Sequence, residues 1–317
     1  MDATPLLVGD LGATNARFAL MGDAGARDIA VLSCADYPDL ASAMRAYQAR
    51  VPNAAGVRRA ALAIASPIVG DRVAMTNHAW SFSILGLRDA MGLERLEVVN
   101  DFAAVALAVS HLTDADRRQI GGGEAQPGAR GVLGPGSGLG MASVVPDASG
   151  RPVTVPGEGG HATVPAGDDR EAAVIAHLRR IYGHVSCERV VSGMGLVNLY
   201  QALGAVDGEP DVPTVTPPEV SELAAGGDPQ AAEAVRMFVG LLGSVAGNLA
   251  LTVGAVGGVY IAGGICGRLG ALFDDALFRQ RFEAKGRFHG YMAAIPTYLV
   301  THPFPAFVGL KGVLDDG

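Results

Sequence analysis

A carboxylate, a glycine-bearing turn and a hydroxyl stand together near the start of the chain, in Leu6-Leu7-Val8-Gly9-Asp10-Leu11-Gly12-Ala13-Thr14-Asn15-Ala16-Arg17-Phe18-Ala19-Leu20. The apolar runs on either side read as the two arms of a β-hairpin. Gly12 lets the chain turn tightly and brings its backbone close to a ligand. Successive N–H groups from Gly9 to Asn15 would make an anion nest at the tip. Asp10 is a poor phosphate ligand but a good holder of the water shell of Mg²⁺. The same residues also make an ordinary Asp-Leu-Gly turn.

Four further constellations have chemistry in them. Gly134-Pro135-Gly136-Ser137-Gly138-Leu139-Gly140 offers backbone N–H groups and the Ser137 hydroxyl to a phosphate, or is a plain glycine hairpin. Asn100-Asp101 falls where a strand gives way to a helix, the end at which open α/β sheets bind ligands. Either residue would also serve as a helix N-cap. Glu158-Gly159-Gly160-His161 places two polar side chains around a flexible pair. Two ligands are too few for a zinc site, so gripping sugar hydroxyls fits better, with Glu accepting and His donating or accepting. Glu188, in Glu188-Arg189-Val190-Val191, is a third hydroxyl acceptor or a surface carboxylate. Ala262-Gly263-Gly264-Ile265 ends an apolar strand in a flat turn on which an adenine ring could lie. No G-x-x-x-x-G-K-[ST] loop and no G-x-G-x-x-G fingerprint follows the first strand.

These groups need a scaffold of strands ending in turns. Strands are expected at Ile29–Cys34, Ala60–Ala65 and Leu96–Val99, with helices over Pro38–Arg50 and Phe102–Leu112. Thr113–Arg130 is polar and glycine-rich and reads as a hinge or surface loop. Strands follow within Gly131–Val145 and at Val153–Pro156, then helices over Asp168–Tyr182 and Leu196–Leu203. Asp207–Pro218 reads as a loop, and Pro229–Ala255 as one long, largely buried helix. A strand from Gly258 precedes a helix running through Leu277, a strand at Ile295–Thr301 and a closing helix at Ala306–Leu314. Strands alternating with helices imply an α/β chain with buried sheets.

The 317 residues suffice for about two domains. Apolar residues make up 49% and charged ones 18%, the balance of a soluble globular protein. A formal charge of −8 and the absence of any basic run argue against nucleic acid as the main partner. No apolar run reads as long enough to span a membrane, and the N-terminus lacks a basic leader, so a cytoplasmic protein without a membrane partner is expected. Cys34, Cys187 and Cys266 are too scattered for a disulfide framework or a zinc cluster and read as small buried apolar residues.

Taken in order, these segments resemble the bacterial glucokinases of the non-ROK type, ATP:D-glucose 6-phosphotransferases of the actin-like ATPase and sugar kinase superfamily. The resemblance runs through "GDLGATNARFAL", "LAIASPIVGDRVAMTNHAWSFS" (Leu62 to Ser83), "VVNDFAAVALAV", "LGPGSGLG", "VPGEGGHATV", "ERVVSGMGL" and "VYIAGGI". It implies two actin-like (ribonuclease H-like) α/β domains with a cleft between them. Residues 1–112 plus about 302–317 would form the smaller, and 113–301 the larger. It implies Asp101 as general base, and Asn100, Glu158, His161 and Glu188 on glucose. Gly9, Asp10, Leu11, Gly12, Ala13, Thr14, Asn15, Ser137 and Gly138 would face the phosphates of ATP, with Asp10 reaching Mg²⁺ through water. Gly263 and Gly264 would line the adenosine. A homodimer is typical of such proteins. The first hairpin of the family usually reads Asp-x-Gly-Gly-Thr, and Ala13 replaces its second glycine. If that site needed φ > 0, alanine would cost about 1 kcal/mol or more. Ser137 stands where Thr is expected. No cysteine-rich motif follows Glu158–His161, unlike the ROK sugar kinases, and no DNA-binding extension precedes Leu6. Fructose, mannose or N-acetylglucosamine as acceptor, and a non-enzymatic sugar- or nucleotide-responsive protein, are the competing readings.

Overall fold

Apolar runs alternating with amphipathic segments form two main sheets, each in its own unit of the chain. The computed structural model describes residues 5–66, 68–75, 78–209 and 212–315. Pro67, Thr76 and Asn77 of the Leu62–Ser83 stretch, Pro210 and Asp211 of the acidic loop, and residues 1–4 and 316–317 lie outside the described residues. One unit runs to Thr113 and resumes at His302; the other is Asp114–Thr301.

In the first unit the strands are β1 (Leu6–Leu11), β2 (Asn15–Gly22), β3 (Gly25–Ser33), β4 (Arg59–Ile64), the short pair β5 (Arg72–Ala74) and β6 (Ser81–Ser83), and β7 (Arg95–Asn100). The sheet order is β3-β2-β1-β4-β7. β2 runs antiparallel to both of its neighbours, while β4 and β7 run parallel to β1. Both faces are covered, which is why β1 reads as unbroken apolar sequence. Leu7, Leu11 and Phe18 pack with Tyr47 of α1 (Leu40–Arg50). Val8, Ala19, Ala61 and Ala63 pack with Phe307 and Leu310 of the C-terminal helix (Pro305–Asp315). A short α2 (Ile84–Ala90) precedes β7, and α3 (Asp101–Ala108) follows it directly.

The second unit holds β8 (Arg117–Gly121), β9 (Arg130–Pro135), β10 (Leu139–Pro146), β11 (Pro152–Gly157), β12 (Val259–Ile261) and β13 (Thr297–Val300), in the order β11-β10-β9-β12-β13-β8. Its core repeats the first topology. Three antiparallel strands are followed by two parallel to the first of them, and here β8 is added antiparallel at the edge. The helices are α4 (Asp169–Tyr182), α5 (Gly193–Asp207), α6 (Pro217–Ala225), α7 (Pro229–Val253), α8 (Gly264–Leu269), α9 (Asp275–Glu283) and α10 (His289–Ala294).

Three expectations need correcting. Thr113–Arg130 is not all loop, because β8 lies within it. Its polarity is that of an edge strand: Arg117 lies over the Tyr298 ring at 4.5 Å, Arg118 pairs with Asp275, and Ile120 alone of these is buried. The helix expected through Leu277 breaks at Gly270, whose φ is +52°, and restarts where Asp274 caps α9. And α7 is long and apolar enough to cross a membrane by length and composition. It is buried instead as the central helix of its unit, with Phe238, Leu241 and Leu242 fully enclosed. The three cysteines are buried and free.

Gly309 of the C-terminal helix lets α3 approach so closely that a methyl group there would fall on the Ala104 carbonyl oxygen. Gly309→Ala is expected to destabilise the chain by about 1–3 kcal/mol through overpacking, read from urea denaturation. Gly290→Ala, which meets no atom within 4 Å, serves as the control and should be neutral or slightly stabilising.

Candidate active site

The first unit gathers its polar groups at the carboxyl ends of parallel strands. Asp10, next to last in β1, stands opposite Arg17 of β2, and the guanidinium reaches its carboxylate at 3.3 Å. The hairpin tip is tied down by Gly12 N–H donating to Asn15 O at 3.0 Å and by Cys34 N–H donating to Thr14 O at 2.8 Å. Thr14 itself is exposed at the tip. Among the described residues, Asp28 is the one non-glycine with positive φ. Ala13 therefore sits in an ordinary conformation, and the condition under which it would cost stability does not arise. Nor does Gly12 have a positive φ, and a methyl group there would touch only Asn15 O, at 3.6 Å. The turn itself does not demand glycine at 12; what glycine supplies is bare backbone. Gly9 is bare for packing, because a methyl group there would strike Leu62 and Phe18.

Asn100 and Asp101 divide their labour. Asn100 is the N-cap of α3: its Oδ1 accepts from Phe102 N–H at 3.0 Å and Ala103 N–H at 3.1 Å, and its Nδ2 donates to Ser66 O at 3.4 Å. Asp101 is the first residue of the helix and accepts from Phe102 N–H at 2.8 Å. Burial lifts the Asp10 carboxyl above the usual carboxylate range; Arg17 opposes this, and the negative charge of Asp101 adds to it. A carboxylate whose charge is disfavoured by a second one nearby suits a divalent cation's water shell. Among the described residues no cluster of three or more His, Cys, Asp or Glu is assembled for direct metal ligation. A cation carried by a triphosphate needs only one or two carboxylates.

The second unit assembles the rest around the β9–β10 turn. Ser137 is exposed at the tip, and Gly136 N–H donates to Gly138 O at 2.8 Å. Glu188, in a one-turn 3₁₀ segment, is half-buried, and its Oε2 accepts from Leu139 N–H at 2.8 Å. A methyl group on Gly138 would lie on that carboxylate oxygen, and one on Gly160 would lie on Leu139 O. Gly160 thus seats the Glu158–His161 turn against the hairpin. Glu158 and His161 are both largely exposed, 3.9 Å apart. Gly263 has φ +102°, and a methyl group there would lie 2.5 Å from Pro135 O, so this glycine is required.

Ser137, Gly138, Glu158, His161, Glu188, Gly263 and Gly264 are thereby brought together on one unit. Gly9 to Asn15, Asn100 and Asp101 are brought together on the other. Sequence reading missed the braces behind them. Gly193 N–H donates to Gly136 O at 2.9 Å, and Ser192 caps α5 while donating to Glu188 O at 2.8 Å. The Arg268 guanidinium lies 3.4 Å from where a Gly264 methyl group would be. A Ser ahead of a helical run was the available signal for the first pair; Arg268 had none.

Comparison with known proteins is consistent along the whole chain. The family model described as Glucokinase matches residues 7–316. The glucokinase of Paramagnetospirillum magneticum is 51% identical over 314 residues, covering 98% of each chain. A bifunctional protein of Burkholderia thailandensis is 49% identical over 312 residues, and this chain spans 48% of its length. The crystal structure of a glucokinase from an Antarctic psychrotroph superimposes with a TM-score of 0.90 at 35% identity, covering 99% of this chain and 100% of that one.

Because Asp10 is held protonated to higher pH in the folded chain than in the unfolded one, where aspartate titrates near ~3.9, it subtracts stability as pH rises through that interval. Asp10→Asn should therefore raise Tm at about pH 7, with the gain shrinking toward about pH 4. A gain of equal size at both would contradict the assignment. Arg17 is 40% exposed in its side chain and can return to water when its partner is neutralised.

Proposed function

This chain belongs to the glucokinase family, and we propose that it phosphorylates D-glucose at the 6-hydroxyl with ATP, giving glucose 6-phosphate and ADP at the entry to glycolysis. The observation that carries this reading is the family match across residues 7–316 together with 51% identity over the full length of a glucokinase. Phosphoryl transfer asks little covalent chemistry of a protein; positioning and charge neutralisation dominate.

Asp101 is the general base. It accepts the proton of the 6-hydroxyl as that oxygen attacks the γ-phosphorus and the bond to ADP breaks. Asn100 caps α3, and the bond from Phe102 N–H to Asp101 Oδ1 fixes that carboxylate at the carboxyl end of β7, which supports its role as an acceptor of the proton. Asn100, Glu158, His161 and Glu188 hold the sugar hydroxyls. The Asn100 carbonyl oxygen is committed to α3, so its contribution to sugar is the amide N–H. Gly9 to Asn15 in the first unit, and Ser137 and Gly138 in the second, present N–H and hydroxyl donors to the phosphates. Gly263 and Gly264 give the adenosine a flat surface. Asp10 would hold Mg²⁺ through its water shell, and the bound ion would neutralise phosphate charge.

The finer fold assignment belongs to the same proposal. Each unit carries the antiparallel-three, parallel-two strand order of the actin-like, ribonuclease H-like domains, with 1–112 plus 302–317 as the smaller and 113–301 as the larger. The protein works in the cytoplasm as a homodimer, without a nucleic-acid or membrane partner.

Asp101→Ala is expected to lower kcat by roughly 10²–10⁴-fold, the range for loss of a general base, while the KM for glucose changes much less. A coupled ADP-release assay with glucose, fructose, mannose and N-acetylglucosamine measures this and the acceptor preference together. Near-normal turnover of the alanine variant would remove Asp101 from its role.

A further inference from the structure

Glu188 meets the β9–β10 hairpin through backbone. Its Oε2 accepts from Leu139 N–H at 2.8 Å, and Gly138 has no side chain because that oxygen occupies the place. The main chain of Glu188 is itself fixed: its carbonyl accepts from the Ser192 hydroxyl at 2.8 Å, and Cys187 N–H donates to Ala162 O at 2.8 Å. Ser192 caps α5, whose first residue, Gly193, donates to Gly136 O on the same hairpin at 2.9 Å. The hairpin is therefore gripped at both ends of its tip, by a side chain at Leu139 and by a backbone amide at Gly136.

We propose that Glu188 is a positioning residue that sets the β9–β10 hairpin in the conformation that receives phosphate, and that the same carboxylate, by taking a sugar hydroxyl, couples acceptor binding to donor binding. The coupling rests on the glucokinase reading above; the brace on the hairpin does not. A carboxylate has room for several hydrogen bonds, so Oε2 can hold Leu139 while the group accepts from a hydroxyl. A sugar in place restricts the carboxylate further, and through it the Gly138–Leu139 peptide. The phosphate then binds a hairpin already ordered, which is positive cooperativity.

The test uses the full-length protein. Glu188→Gln keeps an oxygen of the right reach for Leu139 N–H. Glu188→Asp keeps the charge but shortens the reach, and Glu188→Ala removes both. Amide hydrogen exchange without any ligand reads the brace. Leu139 should exchange about tenfold faster or more in the Asp and Ala variants, the loss expected of a hydrogen bond to a charged acceptor, and near the parent rate in the Gln variant. The affinity for a non-hydrolysable ATP analogue, with and without glucose, reads the coupling. In the parent, glucose should tighten the analogue within the usual range of about 5–150-fold. In the Asp and Ala variants that ratio should fall to about one, with weaker analogue binding even without glucose. The Gln variant should raise the KM for glucose while keeping the sugar-free analogue affinity. Where the Ala variant does not fold, the Asp variant carries both readouts. Unchanged Leu139 exchange in the Asp variant would overturn the brace, and a retained glucose effect with fast exchange would overturn the coupling. A parent chain that releases no ADP with glucose would instead sink the functional reading, leaving the exchange result to stand on its own.

Discussion

The main chain of one residue, Leu139, anchors two of the candidate ligand segments on the second hairpin. Its N–H is held by Glu188 and its carbonyl oxygen lies against Gly160. Three segments far apart in sequence thus converge on one residue. The convergence depends on missing side chains as much as on bonds: a methyl group at Gly138 or at Gly160 would occupy the space of the atoms it meets. Gly263 extends the same logic to Pro135 at the other strand of the turn. Backbone packed on backbone leaves little room for rearrangement, because neither partner has rotamers to change.

In the first unit the constraint is electrostatic. Asp10 is placed where burial and a second carboxylate disfavour its charge, with only a half-exposed arginine to offset them. Such an arrangement costs stability and is characteristic of functional sites. The helix behind it shows no such conflict. Asn100 caps α3 with two accepted hydrogen bonds, so the strand-to-helix junction is stable on its own and delivers Asp101 at a fixed point after β7. The neighbouring Asp101 carboxylate accepts from Phe102 N–H as well, so both side chains are anchored at the head of the helix.

Much of this was legible in the sequence where burial is uniform. Strands β1, β4 and β12 are buried along most of their length and read as apolar runs. Strand β8 did not, because Arg117, besides pairing with nearby Asp114, packs on the Tyr260 and Tyr298 rings, and Arg118 pairs with Asp275, all three remote in sequence. The break between α8 and α9 turns on the φ of Gly270, a property that residue identity permits but does not dictate. Glu188 was the least informative of the candidates in one dimension, being a lone carboxylate beside an arginine. It gains meaning only from the hairpin it touches. Ala13 was the opposite case: the family pattern marked it as a departure, yet its backbone conformation is one that any residue adopts.

The two units repeat one topology with different chemistry at equivalent points. In the first hairpin the pair just inside the tip-closing pair is Asp10 opposite Arg17; in the second it is Gly134 opposite Gly140. The first hairpin carries its own carboxylate and its own counter-ion, to which burial and the charge of Asp101 are added. The second has none at this pair, and the carboxylate that braces it comes from Glu188, across the fold. A charge within a hairpin moves only with that hairpin. A charge borrowed from another segment ties the hairpin to whatever else that segment binds. The same strand order thus carries a carboxylate inside the hairpin in one copy and one supplied by another segment in the other. The difference lies in which residues stand opposite one another, not in the path of the chain.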